Sequence, residues 1–331
     1  MCGRYASARN RQELLDEFRV ERDRVTESLA PDYNVAPTKP VYAVVARPES
    51  GTDGPGAAKS GAAESGAAKS GAAESGETKS GAAESGETKS GEARPSVRET
   101  SAAAPPDARA VRELRVVRWG LVPFWAKDVS IGSRLINARA ETVSTKPAFR
   151  RAFARRRCLL PADGFYEWQA AGDGPAGDAP RPRKQPYFIH RADGGVLAFA
   201  GIYELWRDKD AADDPDAWLW TAAIITTQAP DDLGRIHDRT PMVIEPARWA
   251  EWLDPQQADE AALHALLAPA VAGALSSYPV STEVNSVKHN GPGLIEPADP
   301  DPEPAGTPPA SRRATAGKGS DAEQSTAGQL F

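Results

Sequence analysis

A five-residue repeat limits how much of this chain can fold. From Gly56 to Ser90 the sequence cycles through GAAKS, GAAES and GETKS, and the surrounding stretch 48–110 has almost no large apolar side chains. Such a segment buries too little apolar area to offset the entropy lost on folding, so we predict a flexible coil. Residues 298–331 have the same character. The remainder, roughly 235 residues, is enough for one sizeable hydrophobic core.

We therefore predict one domain over residues 2–297, interrupted by the insert 48–110 and followed by a disordered tail. The insert separates two predicted strands that otherwise make a hairpin. We interpret it as a tolerated expansion of a surface loop. The alternative is a tether or an arm that binds a partner.

The charge balance changes once these segments are set aside. The whole chain carries a formal charge of −6. Residues 48–110 hold 10 acids and 7 bases and residues 296–331 hold 6 acids and 3 bases, which accounts for all of it. A near-neutral core does not favour broad electrostatic binding to duplex DNA, although the arginine cluster at 150–157 could contact a few phosphates.

The number of cysteines and the length of the apolar segments indicate the cellular compartment of the protein. Two cysteines, Cys2 and Cys158, are too few for a disulfide framework and suit a reducing compartment. The first residues lack the apolar segment of a secretory signal, and no stretch is long enough to cross a membrane. We expect a cytoplasmic monomer that makes no contact with membranes. Cys158 lies in an apolar strand, and we predict a small buried side chain there.

Strand patterns dominate the core. Residues Asn10–Val20 predict a helix with Asn10 as its cap and Glu13 three residues later. Runs of β-branched and aromatic residues predict strands at Val41–Arg47, Leu114–Trp119, Arg157–Leu160, Tyr187–His190, Val196–Leu205 and Trp218–Thr227. Helices are predicted again at Pro246–Leu253 and Ala258–Leu267. Without regular alternation of strand and helix, the pattern indicates an α+β domain with a curved or barrel-like, mainly antiparallel sheet and peripheral helices.

Cys2 is the most informative residue for chemistry. Removal of Met1 would place an α-amine and a thiol on one residue, and the α-amine has an ordinary pKa of about 7.7 to 8.0. Such a 1,2-aminothiol can attack an amide as an N-terminal nucleophile. It can also condense with an aldehyde, first as a Schiff base and then as a thiazolidine ring.

Four later segments carry candidate groups for catalysis or binding. In Leu135–Glu141, the side chains of Asn137, Arg139 and Glu141 alternate, and we expect them on one side of an extended segment. Glu167 lies among aromatic residues, where desolvation raises a carboxyl pKa and suits acid/base work. His237 is flanked by Asp238 and Arg239, and we interpret it either as a catalytic group or as a hydrogen-bonded histidine of a loop. The fourth segment, Trp119–Trp125, places Phe124 and Trp125 beside a proline turn, as a base-stacking wedge or as core.

The spacing of the remaining histidines does not match a metal site. His190, His264 and His289 are isolated in the sequence, and there is no CxxC, HExxH or phosphate-binding glycine motif. We predict no metal and no cofactor.

Taken together, these motifs resemble a known family. Their order is that of the SOS response-associated peptidase (SRAP) family. The matching segments are Cys2–Tyr5, Tyr33–Thr38, Trp119–Pro123, Ile136–Thr142, Gly164–Trp168, Thr226–Thr227, Ile236–Arg239 and Val284–Val287.

The resemblance implies recognition of abasic sites in single-stranded DNA and their protection by a covalent DNA-protein cross-link. It implies that Cys2 forms the thiazolidine with the opened sugar. Asn137 then binds sugar oxygens, Glu167 acts as acid and base, and His237 polarises the sugar hydroxyl or the Schiff base. The residues it implies for DNA binding are Arg4, Asn34, Phe124, Trp125, Arg139 and Trp168. Autoprocessing at the N-terminus and association with the nucleoid follow from the same resemblance.

Two rival functions stay open at this point. One is an N-terminal-nucleophile cysteine peptidase or amidohydrolase, since glutamine amidotransferases also begin Met-Cys-Gly. The other is a non-covalent reader of damaged DNA, in which the aromatic residues bind and Cys2 is incidental.

Overall fold

The structure is a computed structural model that describes residues 2–49, 109–169, 184–208, 218–268 and 273–299. The predictions for the repeat and for the tail lie outside these residues. No helix in the described ranges is long and apolar enough to span a membrane.

Strands outnumber helices in the described chain. The strands are β1 (Tyr5–Ser7), β2 (Arg22–Asp23), β3 (Asp32–Val35), β4 (Pro40–Pro48), β5 (Ala110–Trp119), β6 (Asn137–Arg139), β7 (Arg157–Ala162), β8 (Gly164–Gln169), β9 (Gln185–Arg191), β10 (Leu197–Arg207), β11 (Trp218–Gln228), β12 (Arg239–Pro241) and β13 (Leu275–Pro279). The α-helices are α1 (Arg11–Glu17), α2 (Arg150–Arg155), α3 (Asp231–Gly234), α4 (Trp249–Leu253) and α5 (Glu260–Leu266). Short 3-10 helices lie at Val129–Arg134, Ala140–Thr142, Pro246–Arg248, Thr282–Asn285 and Pro292–Ile295.

Five strands form a closed barrel. They run in the order β11, β10, β7, β4, β5 with antiparallel neighbours, and β5 returns to β11 through a short parallel pairing. This closing pairing joins Arg118 to Thr221 and Trp119 to Ala222. A second sheet has the order β13, β9, β8, β1, β3. The predicted α+β class with a barrel-like, mainly antiparallel sheet is confirmed.

The hairpin predicted across the insert is present. Strands β4 and β5 pair in continuous antiparallel register from Pro40 opposite Arg118 to Pro48 opposite Ala110. The two ends that flank the insert are therefore direct neighbours, so the register of the barrel does not depend on the length of chain between them.

Strand β4 has apolar residues on both faces because both are covered. Val41, Ala43 and Val45 belong to the cluster that fills the barrel, with residues from all five of its strands. Tyr42 and Val44 face the opposite side and pack with the helices. There the ring of Phe18 stacks on Trp249 with ring centres 4.5 Å apart. A strand buried on both faces reads as a continuous apolar run rather than an alternating one.

The N-terminal strand seals one end of the barrel. Strand β1 pairs with both β3 and β8 in the second sheet. The ring of Tyr5 meets Trp119 edge-on at 5.1 Å and Phe199 at 5.8 Å between ring centres. Residues 2–5 are thereby fixed at the barrel mouth.

One local expectation is wrong. The extended segment ends at Arg139, and Glu141 lies in the 3-10 helix Ala140–Thr142. Asn137 and Arg139 keep their alternate positions, but Glu141 does not continue the row. Its carboxylate turns to Arg239, which donates from Nη1 at 2.7 Å and from Nη2 at 3.1 Å.

Candidate functional site

Cys2 lies at the barrel mouth with no exposed surface. Its Sγ is 3.9 Å from the carbonyl oxygen of Arg4, a weak contact. Burial raises the pKa of the thiol, and the nearby carboxylate of Glu167 raises it further. The sulfur is therefore held as a neutral thiol, which must lose its proton when it forms a bond to carbon.

The pairing of β1 with β8 brings Glu167 next to Cys2. Tyr5 lies opposite Phe165 and Ala6 opposite Gly164, so continuation of the same register places residue 3 opposite Glu167. The side chain is 3% exposed. Burial raises the pKa of Glu167 from 4.5 to about 7. A carboxyl group that titrates near neutral pH can both accept and donate a proton under physiological conditions.

Asn137 holds the backbone of Cys2. Strand β6 runs parallel to β11, with Asn137 opposite Ile224. From there the Asn137 Nδ2 donates to the Cys2 carbonyl oxygen at 2.6 Å. The Asn137 Oδ1 is buried and accepts no hydrogen bond from any described residue. A buried acceptor without a donor is costly, which is expected where a ligand supplies the donor.

His237 and Glu167 line the same small recess. The recess is too narrow for a water molecule, and its walls include Phe165, Ile189 and Ile236. The backbone N–H of Arg239 donates to His237 Nδ1 at 3.0 Å.

The protonation state of His237 follows from two competing contacts. The Asp238 carboxylate also lies 2.9 Å from Nδ1 and would favour a protonated ring, but its side chain is 85% exposed and well solvated. Burial lowers the pKa of His237 despite that carboxylate. The ring is therefore neutral near pH 7, with its proton on Nε2.

Arg239 positions this loop, a role that the sequence reasoning did not assign. Its guanidinium joins Glu141 to the end of β11, where Nη2 donates to the Thr226 carbonyl oxygen at 2.6 Å. The sequence contains the two opposite charges, Glu141 and Arg239, in two separate motifs. Their pairing could not be read from sequence because 98 positions separate them.

Phe124 and Trp125 lie on the surface, in the loop that follows β5. They are 49% and 47% exposed, which contradicts a core role. Gly120, with φ of +129°, precedes their loop, and a Cβ there would approach the Gly132 carbonyl oxygen to 2.6 Å. Only glycine permits this close packing of the loop on the Val129–Arg134 helix. Rings exposed on a fixed loop can stack on a flat ligand.

The other residues expected to bind DNA differ in their exposure. Arg4 donates from Nη1 to Asn34 Oδ1 at 2.6 Å and to the Val284 carbonyl oxygen at 2.9 Å. Asn34 is fully buried, and its Nδ2 donates to the carbonyl oxygens of Val284, Ser286 and His289. Asn34 thus positions Arg4 and the loop at 284–289 from below the surface.

Trp168 is half-buried near Arg4, whose guanidinium carbon lies 5.9 Å from the indole centre. Its Nε1 donates to Asn285 Oδ1 at 2.6 Å. Arg139 is exposed. Both side chains can therefore reach a ligand that passes over the mouth.

The described ranges contain no group of three or more side chains of the types that bind metal ions. A wider groove of about 740 Å³, lined by Arg19, Arg109 and Arg112 among others, holds none of the candidate catalytic residues. It lies at the end of β4 and β5 that is remote from Trp119.

The chain also matches a model of a known protein family. The family model for SOS response associated peptidase (SRAP) matches residues 1–287. The chain belongs to the SRAP family. The predicted resemblance is confirmed, and each motif that carried it lies within the matched residues.

Several relatives of this SRAP protein carry names that state a function. It is 43% identical over 180 residues to the abasic site processing protein YoqW of Bacillus subtilis, covering 54% of this chain and 75% of that one. It is 34% identical over 182 residues to YedK of Escherichia coli, covering 55% and 73%. It is 32% identical over 211 residues to HMCES of Gallus gallus, covering 57% and 58%. YedK and HMCES are also named abasic site processing proteins.

A solved structure from Bordetella bronchiseptica shares the fold. Its TM-score is 0.52 at 20% identity, and the match covers 85% of this chain and all of the other.

Proposed function

We propose that this SRAP protein captures abasic sites in single-stranded DNA through a covalent thiazolidine on Cys2, formed after Met1 is removed. The observation that carries the proposal is the setting of Cys2. Its carbonyl oxygen is held by Asn137, and its thiol adjoins a carboxyl group whose pKa is about 7. The names of the relatives support abasic DNA as the substrate.

The chemistry proceeds in two steps. An abasic sugar in its open form presents an aldehyde. The α-amine of Cys2 adds to this carbon and one water leaves, which gives a Schiff base. The thiol sulfur then adds to the same carbon, its proton passes to the nitrogen, and the ring closes. The product carries the mass of protein plus DNA less one water, and it resists hydrolysis better than an open imine.

Glu167 moves the protons in this scheme. The amine must be unprotonated to attack, and the carboxylate can take its proton. The protonated carboxyl can then help expel water from the carbinolamine. A pKa near 7 populates both forms, which suits a group that must act in both directions.

Asn137 and His237 orient the sugar. The free Oδ1 of Asn137 can accept a hydrogen bond from a sugar hydroxyl or from the Cys2 amine. The Nε2–H of neutral His237 can donate to a sugar oxygen. A donor to that oxygen favours ring opening, which exposes the aldehyde.

DNA strands are held around this centre by charge and stacking. We assign Arg4 and Arg139 to the phosphates beside the abasic sugar, and Phe124, Trp125 and Trp168 to the neighbouring bases. A strand that is already single has no pairing to break, so no base-flipping energy is needed. We place the protein in the cytoplasm, on the nucleoid when it is bound to DNA.

Removal of Met1 by the protein itself is a second activity that we propose. The family name includes a peptidase. The Cys2 thiol, with Glu167 as base, could attack the carbonyl carbon of Met1, and one water would complete the hydrolysis. Synthesis in a translation system without methionine aminopeptidase tests this step, because a Cys2→Ser chain should then keep Met1 while the wild type loses it.

The cross-link is tested on a denaturing gel. An oligonucleotide with one abasic site should give a slow band that survives SDS. The matched control is an oligonucleotide with a tetrahydrofuran at that position, which has no aldehyde and should give no such band. Equal bands from both oligonucleotides, or no band from either, would contradict the proposal.

A further inference from the structure

A strongly basic segment stands out from the near-neutral core. Residues 121–157 contain nine lysines and arginines but only two acids, Asp128 and Glu141. One of these acids is already neutralised, because Glu141 is paired with Arg239 of β12. The segment therefore carries an excess of positive charge that the rest of the core lacks.

Two of the arginines in this segment have structural roles. Arg156 forms an ion pair with Glu204 at 2.7 Å. Arg157 is buried and donates to several backbone carbonyl oxygens, including that of Trp252 at 2.7 Å. These contacts fix the end of α2 to the barrel. They leave α2 as a rigid support for its other side chains.

The other arginines of α2 face solvent. Arg150, Arg151 and Arg155 are exposed, and neither Arg150 nor Arg155 has a carboxylate partner in the described ranges; Arg151 is close enough to Glu204 to act on its pKa. Unpaired cations on a rigid element can bind an anionic chain without first breaking an ion pair.

The exposed face of α2 adjoins the exposed ring of Phe124. The Arg151 guanidinium lies over the Phe124 ring, 4.5 Å from its centre. Phe124 and Trp125 present two adjacent exposed rings. A row of cations beside exposed rings is the arrangement that binds single-stranded nucleic acid, with phosphates on the cations and bases on the rings. An acidic peptide would use the cations but has no bases to stack.

We propose that Arg150 and Arg155 of α2 bind the phosphates of the single-stranded DNA arm that leaves the site past Phe124. This inference rests on the proposed function, since it takes the strand in the site to be DNA. It adds a second, sequence-independent contact surface that does not take part in the chemistry.

The test uses a double variant, Arg150→Gln with Arg155→Gln. Arg151 is kept, because its loss would also disturb Phe124. The control is Arg19→Gln with Arg109→Gln, which removes the same charge at the far end of β5, about 30 Å from Gly120 at the usual rise per strand residue. All four side chains are exposed, and Arg109 forms only a surface ion pair with Glu21, so both variants should keep the melting temperature of the wild type.

Binding is measured by fluorescence anisotropy on undamaged single strands of about 6 and about 20 nucleotides over a range of salt. Each phosphate contact adds about 0.7 to the slope of log K against log salt. For the long strand, the α2 variant should lower this slope by about 1.4, and the control should leave it unchanged. For the short strand, all three proteins should have the same slope.

The inference is overturned if the α2 variant keeps the wild-type slope on the long strand, or if the control loses as much. It is also overturned if the variant binds DNA normally but loses binding to a polyglutamate peptide, which would assign α2 to an acidic protein. Cross-linking of a short abasic strand is measured in parallel. Failure there in the wild type would refute the proposed function, and a loss confined to the long strand bears only on α2.

Discussion

Replacement of Glu167 by Gln should slow the cross-linking reaction and raise the stability of the folded protein. The side chain is 3% exposed, and burial raises its pKa from 4.5 to about 7. Below pH 4.5 the carboxyl is neutral in both the folded and the unfolded chain. Between these two values the unfolded chain ionises while the folded chain keeps its proton, so stability falls as the pH rises.

The loss of stability can be calculated from the pKa shift of Glu167. A difference of about 2.5 pKa units corresponds to about 3 kcal/mol of stability lost above pH 7. Gln has nearly the same shape and no charge, so it avoids this loss. Denaturant unfolding should show Glu167→Gln more stable than wild type by up to about 3 kcal/mol at pH 8, and equal to it near pH 4.

The reaction rate should change in the opposite direction. An amide cannot relay a proton, and such groups typically contribute about 10²-fold or more to the rate. Pre-steady-state gels should therefore show slow cross-linking with affinity for undamaged single strands retained. In the wild type the rate should rise with pH through about 7 as the carboxylate forms.

Glu204→Gln is the matched control for this variant. Glu204 is also 3% exposed, and burial raises its pKa, but it is paired with Arg156 at 2.7 Å. Its replacement also removes a buried carboxylate but should leave the cross-linking rate unchanged, which separates the chemical role of Glu167 from the loss of a buried charge. A Glu167→Gln protein with the wild-type rate, or with lower stability at pH 8, would refute the reasoning.

Three further results are expected. An uncleaved extension before Cys2 should abolish the SDS-stable adduct, and Cys2→Ala or Cys2→Ser should give only an imine that borohydride traps. The intact masses of the adducts measure both outcomes, and a chain that keeps Met1 yet cross-links would contradict the mechanism. Replacing residues 50–105 by a short glycine-containing turn should leave cross-linking and the melting temperature nearly unchanged in scanning calorimetry, because Pro48 and Ala110 already pair. His237→Ala should slow cross-linking, and a rate equal to wild type in the same gel assay would remove His237 from the mechanism.

The long strands could be predicted because each has a sequence pattern that is typical of a buried strand. Strands β4, β10 and β11 are continuous runs of apolar and β-branched residues, a pattern that arises when both faces are buried. Strands β1, β6 and β12 have three residues each, and no sequence pattern marks so short a strand. They are extended because a long partner strand supplies their hydrogen bonds.

The sequence predicted which residues form the site but not how they are arranged in space. The types and order of Cys2, Asn137, Glu167 and His237 pointed to acid/base and nucleophilic work. Their approach depends on the registers of β1 on β8 and of β6 on β11, which are long-range pairings. For the same reason the burial of Asn34, which the resemblance implied for DNA binding, could not be foreseen, because the 284–289 loop that covers it is distant in sequence.

The way the barrel closes has a consequence for its dynamics. Strands β4 and β5 share nine paired positions, whereas β5 and β11 share two. The β4–β7 junction also shares only two. A ring of strands opens where the fewest hydrogen bonds must break, so the β5–β11 junction is one of the two weakest links of the cylinder. It lies directly before Gly120 and next to β6, which carries Asn137. The amides of Gly120 and Val122 should therefore exchange with solvent ahead of the amides that pair β4 with β5. A transient parting there would widen the mouth around Cys2 while the other four junctions stayed intact.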